Sequence, residues 1–171
     1  MSPPSKNGLR ASCVCGSVEF EAAGAPIMSA ACYCDDCQEG ARQIEALPNA
    51  HPVRDADGGS AYILFRKDRV RCSRGAPLLK RYKIREKSAT NRVVAICCNS
   101  AMVLNFDDGK HWVSMYRARL QGDVPPLQMR VCRKFEPENG VVPDGVPSYP
   151  GYPLRFVAKL LAARFAMLFY R

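Results

Sequence analysis

Apolar and polar residues alternate along most of this chain in short runs, and the dominant period is two rather than three to four. From Ser12 to Glu21, small or apolar positions alternate with polar ones around Gly16, which predicts a strand, a tight turn and a second strand. Met28 to Tyr33 predicts another short strand. Asp35 to Leu47 then carries helix formers until Pro48 stops the run. Beyond the turn at Asp57-Gly58-Gly59-Ser60, strands are predicted at Ala61 to Phe65, Val70 to Cys72, Leu78 to Ile84, Arg92 to Ile96, Met102 to Phe106 and Trp112 to Tyr116. Asn91, Asn99 and Asp107-Asp108-Gly109 break the pattern between them. The expected fold is mainly β, a series of hairpins with short helices and no tandem repeat.

The rhythm changes after Gly122. Repeated prolines make Pro137 to Gly151 an expected extended linker on the surface. Pro153 then suits a first helical position, and Leu154 to Arg171 has the composition of a terminal helix. Residues 9–122 are therefore expected to form the domain, with 123–171 a proline-rich extension and a C-terminal helix packed on it. Arg155, Lys159 and Arg164 make that helix too charged and too short to span a bilayer. It either packs on the domain or a second subunit, giving a homo-oligomer, or lies on a membrane surface through its basic and aromatic residues. Arg155 and Arg164 fall on different sides and leave no clean polar face, which favours packing.

Composition adds three constraints. A hydrophobic fraction of 47% is ordinary for a chain of 171 residues and allows a sizeable core. Thirteen prolines and twelve glycines leave little room for long helices before the end. The net charge of +9 is concentrated between Arg66 and Arg92, where only Asp68 and Glu86 oppose the basic residues. Such a segment could attract a nucleic acid or a small anion. It equally fits the solvated outer faces of half-buried strands, because the cations alternate with Leu79, Tyr82 and Ile84, and that reading is preferred.

Nine cysteines are an odd number, so intramolecular disulfides cannot use them all. Met1 to Arg10 is polar and lacks the apolar run of a secretory signal, so the expected location is the reducing cytoplasm, where clustered cysteines serve as metal ligands or redox groups. Seven of them fall in three groups: Cys13 and Cys15; Cys32, Cys34 and Cys37; Cys97 and Cys98. One tetrahedral ion cannot use seven sulfurs, so two sites are expected. His51 and His111 are near none of the groups, and an all-sulfur donor set favours zinc over copper(II) or calcium. Cys72 and Cys132, each alone in a strand-like segment, are expected to be buried apolar residues. Cys32, Cys34 and Cys37 flank Asp35 and Asp36, a polar setting unsuited to three core hydrophobes. A redox Cys34/Cys37 pair is the other reading, but no thioredoxin-like βαβ pattern surrounds it.

The order Cys13-Val14-Cys15-Gly16-Ser17-Val18, then Cys32-Tyr33-Cys34-Asp35-Asp36-Cys37, then Cys98-Asn99-Ser100-Ala101-Met102 resembles the glutathione-dependent formaldehyde-activating enzyme family, which includes centromere protein V-like proteins. The resemblance runs from Leu9 to Tyr116 and is closest to a branch with adjacent cysteines in the third motif. It implies an Mss4-like β-rich fold with two zinc ions: a structural one on Cys13, Cys15, Cys97 and Cys98, and a catalytic one on Cys32, Cys34 and Cys37. Two positions depart from the pattern. The family usually has histidine where Tyr33 stands, and its third motif has two cysteines separated by two residues. Adjacent strand residues face opposite ways, so joint ligation by Cys97 and Cys98 requires a turn, for which Asn99 is suited.

Three protein thiolates leave the fourth position of a tetrahedral zinc to an incoming molecule. The implied activity is that of a carbon–sulfur lyase: glutathione or a similar small thiol binds there as thiolate and adds to formaldehyde or another small aldehyde, giving a hemithioacetal. The alternative is a non-enzymatic zinc module for a protein or nucleic-acid partner. Nucleic acid is disfavoured, since there is no two-histidine finger and no recognition helix.

Overall fold

The computed structural model describes residues 8–135 and 145–169. In chain order its elements are β1 (Leu9–Ser12), β2 (Glu19–Ala22), β3 (Met28–Cys32), α1 (Asp35–Glu45), β4 (Ser60–Arg66), β5 (Val70–Arg74) and β6 (Leu79–Tyr82). There follow β7 (Thr90–Ala95), β8 (Ser100–Phe106), β9 (Trp112–Tyr116), β10 (Leu120–Gln121), β11 (Met129–Val131) and α2 (Leu154–Phe169). This is a mixed α/β fold in which β-sheet dominates. A four-stranded sheet runs β10-β1-β2-β5, and a seven-stranded one runs β11-β3-β4-β9-β8-β7-β6. The large sheet is mixed because β11 lies parallel to β3 while its other pairs are antiparallel.

Side-chain alternation gives the large sheet two apolar faces. Along β4, Tyr62 and Leu64 join the core beneath α1, whereas Ile63 and Phe65 join the core that also takes Ala11 and Phe20 from the small sheet and Val18 from the turn leading into β2. Burial of each large member, such as Ile63 or Phe65, contributes about 1.5–3 kcal/mol. Helix α1 follows its sequence closely: Asp35 and Asp36 sit in the first turn, where acids complement the helix dipole, and Cys37, Ala41 and Ile44 face the core.

Past β10 the chain folds back over the same face. Segment 145–151 runs beside β11, with Arg130 N–H donating to Pro147 O and Tyr149 N–H donating to Arg130 O; the rest of the expected linker, residues 137–144, lies outside the described residues. Helix α2 packs Phe156 and Leu160 against the core. His111 Nε2–H donates to Leu160 O at 2.7 Å, and Lys159 donates to Gln128 at 3.0 Å. Leu161, Phe165, Leu168 and Phe169 are exposed. Among the described residues, no helix is long and apolar enough to cross a membrane.

The basic segment agrees with the expectation of solvated strand faces in part only. Arg71 and Arg74 are exposed and pair with Glu21 and Glu19 of the neighbouring strand, and Lys83 pairs with Asp107. Arg92 departs from it: only 2% of its surface is exposed. Its guanidinium runs beneath α1 at Gly40, where even a methyl side chain would lie 1.7 Å from Nε. A helix with a glycine at that point is what gives the arginine room to be covered.

Candidate metal centres

Cys13 and Cys15 lie in the turn between β1 and β2, which Gly16 tightens with φ 76°, a conformation L side chains resist. Cys97 and Cys98 lie in the turn between β7 and β8, where Asn99 adopts φ 50°. That turn defeats strand alternation and lets adjacent thiols face the same way. The four Sγ atoms all lie within 4.8 Å of one another. Individual separations are 3.6 Å for Cys13–Cys15, 3.8 Å for Cys13–Cys97, 3.4 Å for Cys15–Cys97 and 3.9 Å for Cys97–Cys98. An ion with metal–sulfur bonds of about 2.3 Å needs tetrahedral edges near 3.8 Å, so little rearrangement is required. Supporting contacts fix the sulfurs: Val18 N–H donates to Cys13 Sγ, and the Ser100 hydroxyl meets Cys98 Sγ at 3.1 Å while accepting from Val14 N–H. Hydrogen bonds with the Ser17 side chain and amide lower the Cys15 thiol to about 6.

The second cluster sits where β3 becomes α1. Cys32 ends the strand, Cys34 is the extended residue capping the helix, and Cys37 lies one turn further on. A strand end followed by a helix start gathers all three Sγ atoms within 4.8 Å of one another. Cys32 and Cys37 are buried and Cys34 is half-buried. Hydrogen bonds from the Cys32 and Cys37 thiols hold Cys34 near 3. The Cys32 thiol is raised, first by its hydrogen bond with Cys132 and then by Cys34 and Cys37. One thiolate is thus stabilised by its neighbours' protons while further ionisation is opposed, a conflict that a bound cation removes.

Cys132 is the residue sequence reasoning missed here. It is buried as expected, yet it touches Cys32 side chain to side chain. The parallel pairing sets Val131 opposite Cys32, and a left-handed Cys132 with φ 60° follows directly. Its thiol is not among the three that converge. Nothing in its spacing from the other cysteines could have signalled the contact. Cys72 is half-buried at the edge of the other core, with its thiol on Arg74 O.

One wall of a cavity of about 420 Å³ is formed by Cys32, Cys34 and Cys37. Its other walls include Leu64, Leu104 and Trp112 from the large sheet, Val131 from β11, and Phe156 and Leu160 from α2. The Tyr62 hydroxyl donates to Cys37 Sγ at 3.7 Å, and the Tyr152 hydroxyl lies 3.9 Å from Cys32 Sγ. Tyr33 plays no part in this wall. Its side chain is fully buried elsewhere, donating to Asp57 at 2.7 Å and accepting from Arg130 at 2.8 Å, while Arg130 also pairs with Asp57 at 2.7 Å. Where the family usually has histidine, this chain has a phenol that joins the loop before β4 to β11.

A sheet-dominated protein with two cysteine clusters, each able in principle to hold a metal ion, is thereby defined. Residues 8–122 match the model of the glutathione-dependent formaldehyde-activating enzyme family, and the chain belongs to that family. No curated protein matches it. A crystal structure of a Rhodobacter sphaeroides protein is similar with a TM-score of 0.50 and 19% identity, covering 82% of this chain and 99% of that one, a likeness of fold alone.

Proposed function

We propose that this protein is a zinc-dependent carbon–sulfur lyase-like protein that binds glutathione or a similar small thiol at Cys32, Cys34 and Cys37 and joins it to formaldehyde or another small aldehyde. The observation that carries this reading is the convergence of three thiols on the wall of a cavity large enough for an organic molecule. The donor sets fit zinc, being entirely sulfur and, in the four-thiol cluster, already near tetrahedral spacing. In this proposal, Cys13, Cys15, Cys97 and Cys98 hold the structural ion. The Mss4-like description of the fold, with residues 9–122 as the zinc-binding domain, belongs to the same proposal.

Zinc at the three-cysteine site would favour the thiolate form of a thiol sharing its coordination sphere. The chain's own residues do the rest. Cys32, Cys34 and Cys37 fix the position of that thiol, the Tyr62 hydroxyl restrains Cys37, and the apolar walls limit water. In the reaction, a sulfur–carbon bond forms, the carbonyl π bond opens onto oxygen, and the proton lost by the thiol is restored to that oxygen from solvent. The non-enzymatic alternative has less support, because a scaffold role does not call for three convergent thiols on the wall of a cavity.

Metal content by mass spectrometry and a glutathione titration of the cobalt(II)-substituted protein test the reading. The expected results are two zinc ions per chain, a glutathione-dependent change in the cobalt absorption, loss of that change in Cys34→Ser, and formation of the S-hydroxymethyl adduct with formaldehyde. A single zinc that Cys34→Ser leaves in place would refute it.

A further inference from the structure

Helix α2 is apolar on two sides, and the domain covers one of them. Phe156 and Leu160 pack against the core, and Ala163 and Met167 continue that face half-buried. Leu154, Val157, Leu161, Phe165 and Leu168 recur at the same three- and four-residue spacing on the opposite face. All five are exposed, Leu154 by 88% and Phe165 by 62%, and Phe169 widens the stripe at its end. Single exposed leucines are ordinary on a protein surface, but a continuous stripe along a whole helix marks a face that something covers. The helix carries no acidic residue. Its cations stand around the stripe: with about 3.6 residues per turn, Arg155 borders it on one side and Arg164 on the other. Both are exposed and pair with no carboxylate among the described residues, whereas Lys159 is held by Gln128.

We propose that the outer face of α2 docks on an anionic lipid surface, the helix lying flat with its apolar stripe about 5–10 Å into the boundary between headgroups and acyl chains. Charge decides the occupant. A second copy of the same face would offer apolar side chains but no acid for Arg155 and Arg164, and would add its own cations beside them. Anionic headgroups bordering an apolar interior supply both, and the arginine stems are long enough to lie along the stripe while the guanidinium groups reach phosphate. The net charge of +9 draws the whole chain toward the same surface. The domain takes the place of the polar face that an isolated interfacial helix needs. Phe156 and Leu160 keep their places in the cavity wall, so docking requires no rearrangement there. This surface goes beyond the lyase reading and does not depend on it.

Flotation of the zinc-loaded full-length protein with lipid vesicles tests the proposal, using phosphatidylcholine alone and phosphatidylcholine with about 30% phosphatidylserine. The wild type is expected to float with the anionic vesicles at least about tenfold more strongly than with the neutral ones, and to be released as salt rises. Leu161→Ser combined with Phe165→Ser leaves the charge unchanged and alters two exposed side chains, so circular dichroism should report the same fold. It should nevertheless weaken vesicle binding by at least about tenfold, because the lost term is apolar burial. Arg155→Gln and Arg164→Gln should each weaken it by about fivefold and flatten the salt dependence. Absence of wild-type binding to the anionic vesicles at low salt would overturn the proposal whatever the variants do. Binding that survives the double serine change would overturn it too, since adsorption by net charge alone would then account for the result. A dimer in sedimentation that the double serine change dissociates, with no vesicle binding, would assign the face to a second copy instead.

Discussion

The two cysteine clusters are built from different kinds of structure. The Cys13, Cys15, Cys97 and Cys98 cluster joins two turns, one from each sheet, and brings together four thiols with two of them exposed. The Cys32, Cys34 and Cys37 cluster uses a single strand-to-helix junction, brings together three thiols, and faces a cavity. Four convergent ligands that tie distant segments suit a structural ion, whereas three on one local motif leave room for chemistry. In the proposed reading, paired turns would serve stability and the strand-to-helix junction would serve access.

The largest expected effect tests the structural half of that contrast. Cys98→Ser removes a thiol from the cluster that joins the sheets, and structural zinc sites of the kind proposed there contribute apparent binding free energies of about 10–16 kcal/mol, comparable to the whole stability of a domain. The variant is expected to lose zinc and its cooperative thermal transition together, read by metal analysis and circular dichroism. A folded, one-zinc Cys98→Ser protein would show that the turns hold without the ion.

Next in size is the anchor of the extension. Arg130→Met leaves Asp57 buried with no counter-charge, which costs about 3–5 kcal/mol in comparable buried pairs. Urea denaturation should show that loss, and the zinc of the four-thiol cluster should remain, since no residue of that cluster touches Tyr33, Asp57 or Arg130 in their hydrogen-bond network. Cys34→Ser should be milder still for the fold. It is expected to abolish the proposed metal and thiol binding at the second cluster while the thermal transition survives, because α1 keeps its packing through Ala41 and Ile44.

How much of this could be read from the chain follows from the range of each interaction. Cys32, Cys34 and Cys37 were legible because spacing within one junction fixes their meeting, and the turn that lets Cys97 and Cys98 act together was legible from Asn99. The main antiparallel strands were visible through their alternation; β10 and β11, with two and three residues, are too short to alternate and exist only through their partners. Arg92 sat in a basic, half-alternating segment, and its burial depends on a glycine of α1 that no local pattern connects to it. The parallel register of β11 on β3, which brings Cys132 to Cys32, is a non-local event of the same kind.

A smaller effect sharpens the comparison at the level of protonation. In metal-stripped protein, Cys15 is expected to be thiolate above about pH 6 and thiol below it, so alkylation by iodoacetamide should rise with pH to a plateau through that midpoint. The direction follows from Ser17, whose hydrogen bonds favour the ionised sulfur. Zinc should abolish the reactivity across the range. Peptide mapping by mass spectrometry distinguishes Cys15 from Cys97, the other exposed thiol of the cluster.

The smallest expected effect is the one that bears most on the distinction between the clusters. Cys132 touches Cys32 but stands outside the set of three converging sulfurs. Its thiol, lowered to about 7 by the Cys32 hydrogen bond, is a neighbour of the centre rather than a member. Cys132→Ala should therefore keep two zinc ions and a cobalt spectrum of three-thiolate intensity, with only a modest loss of stability from the small void. A spectrum that drops by a full sulfur–metal charge-transfer contribution would instead make Cys132 the fourth ligand. Both centres would then be closed tetrahedra, and an incoming thiol would have to displace a residue of the extension before it could react.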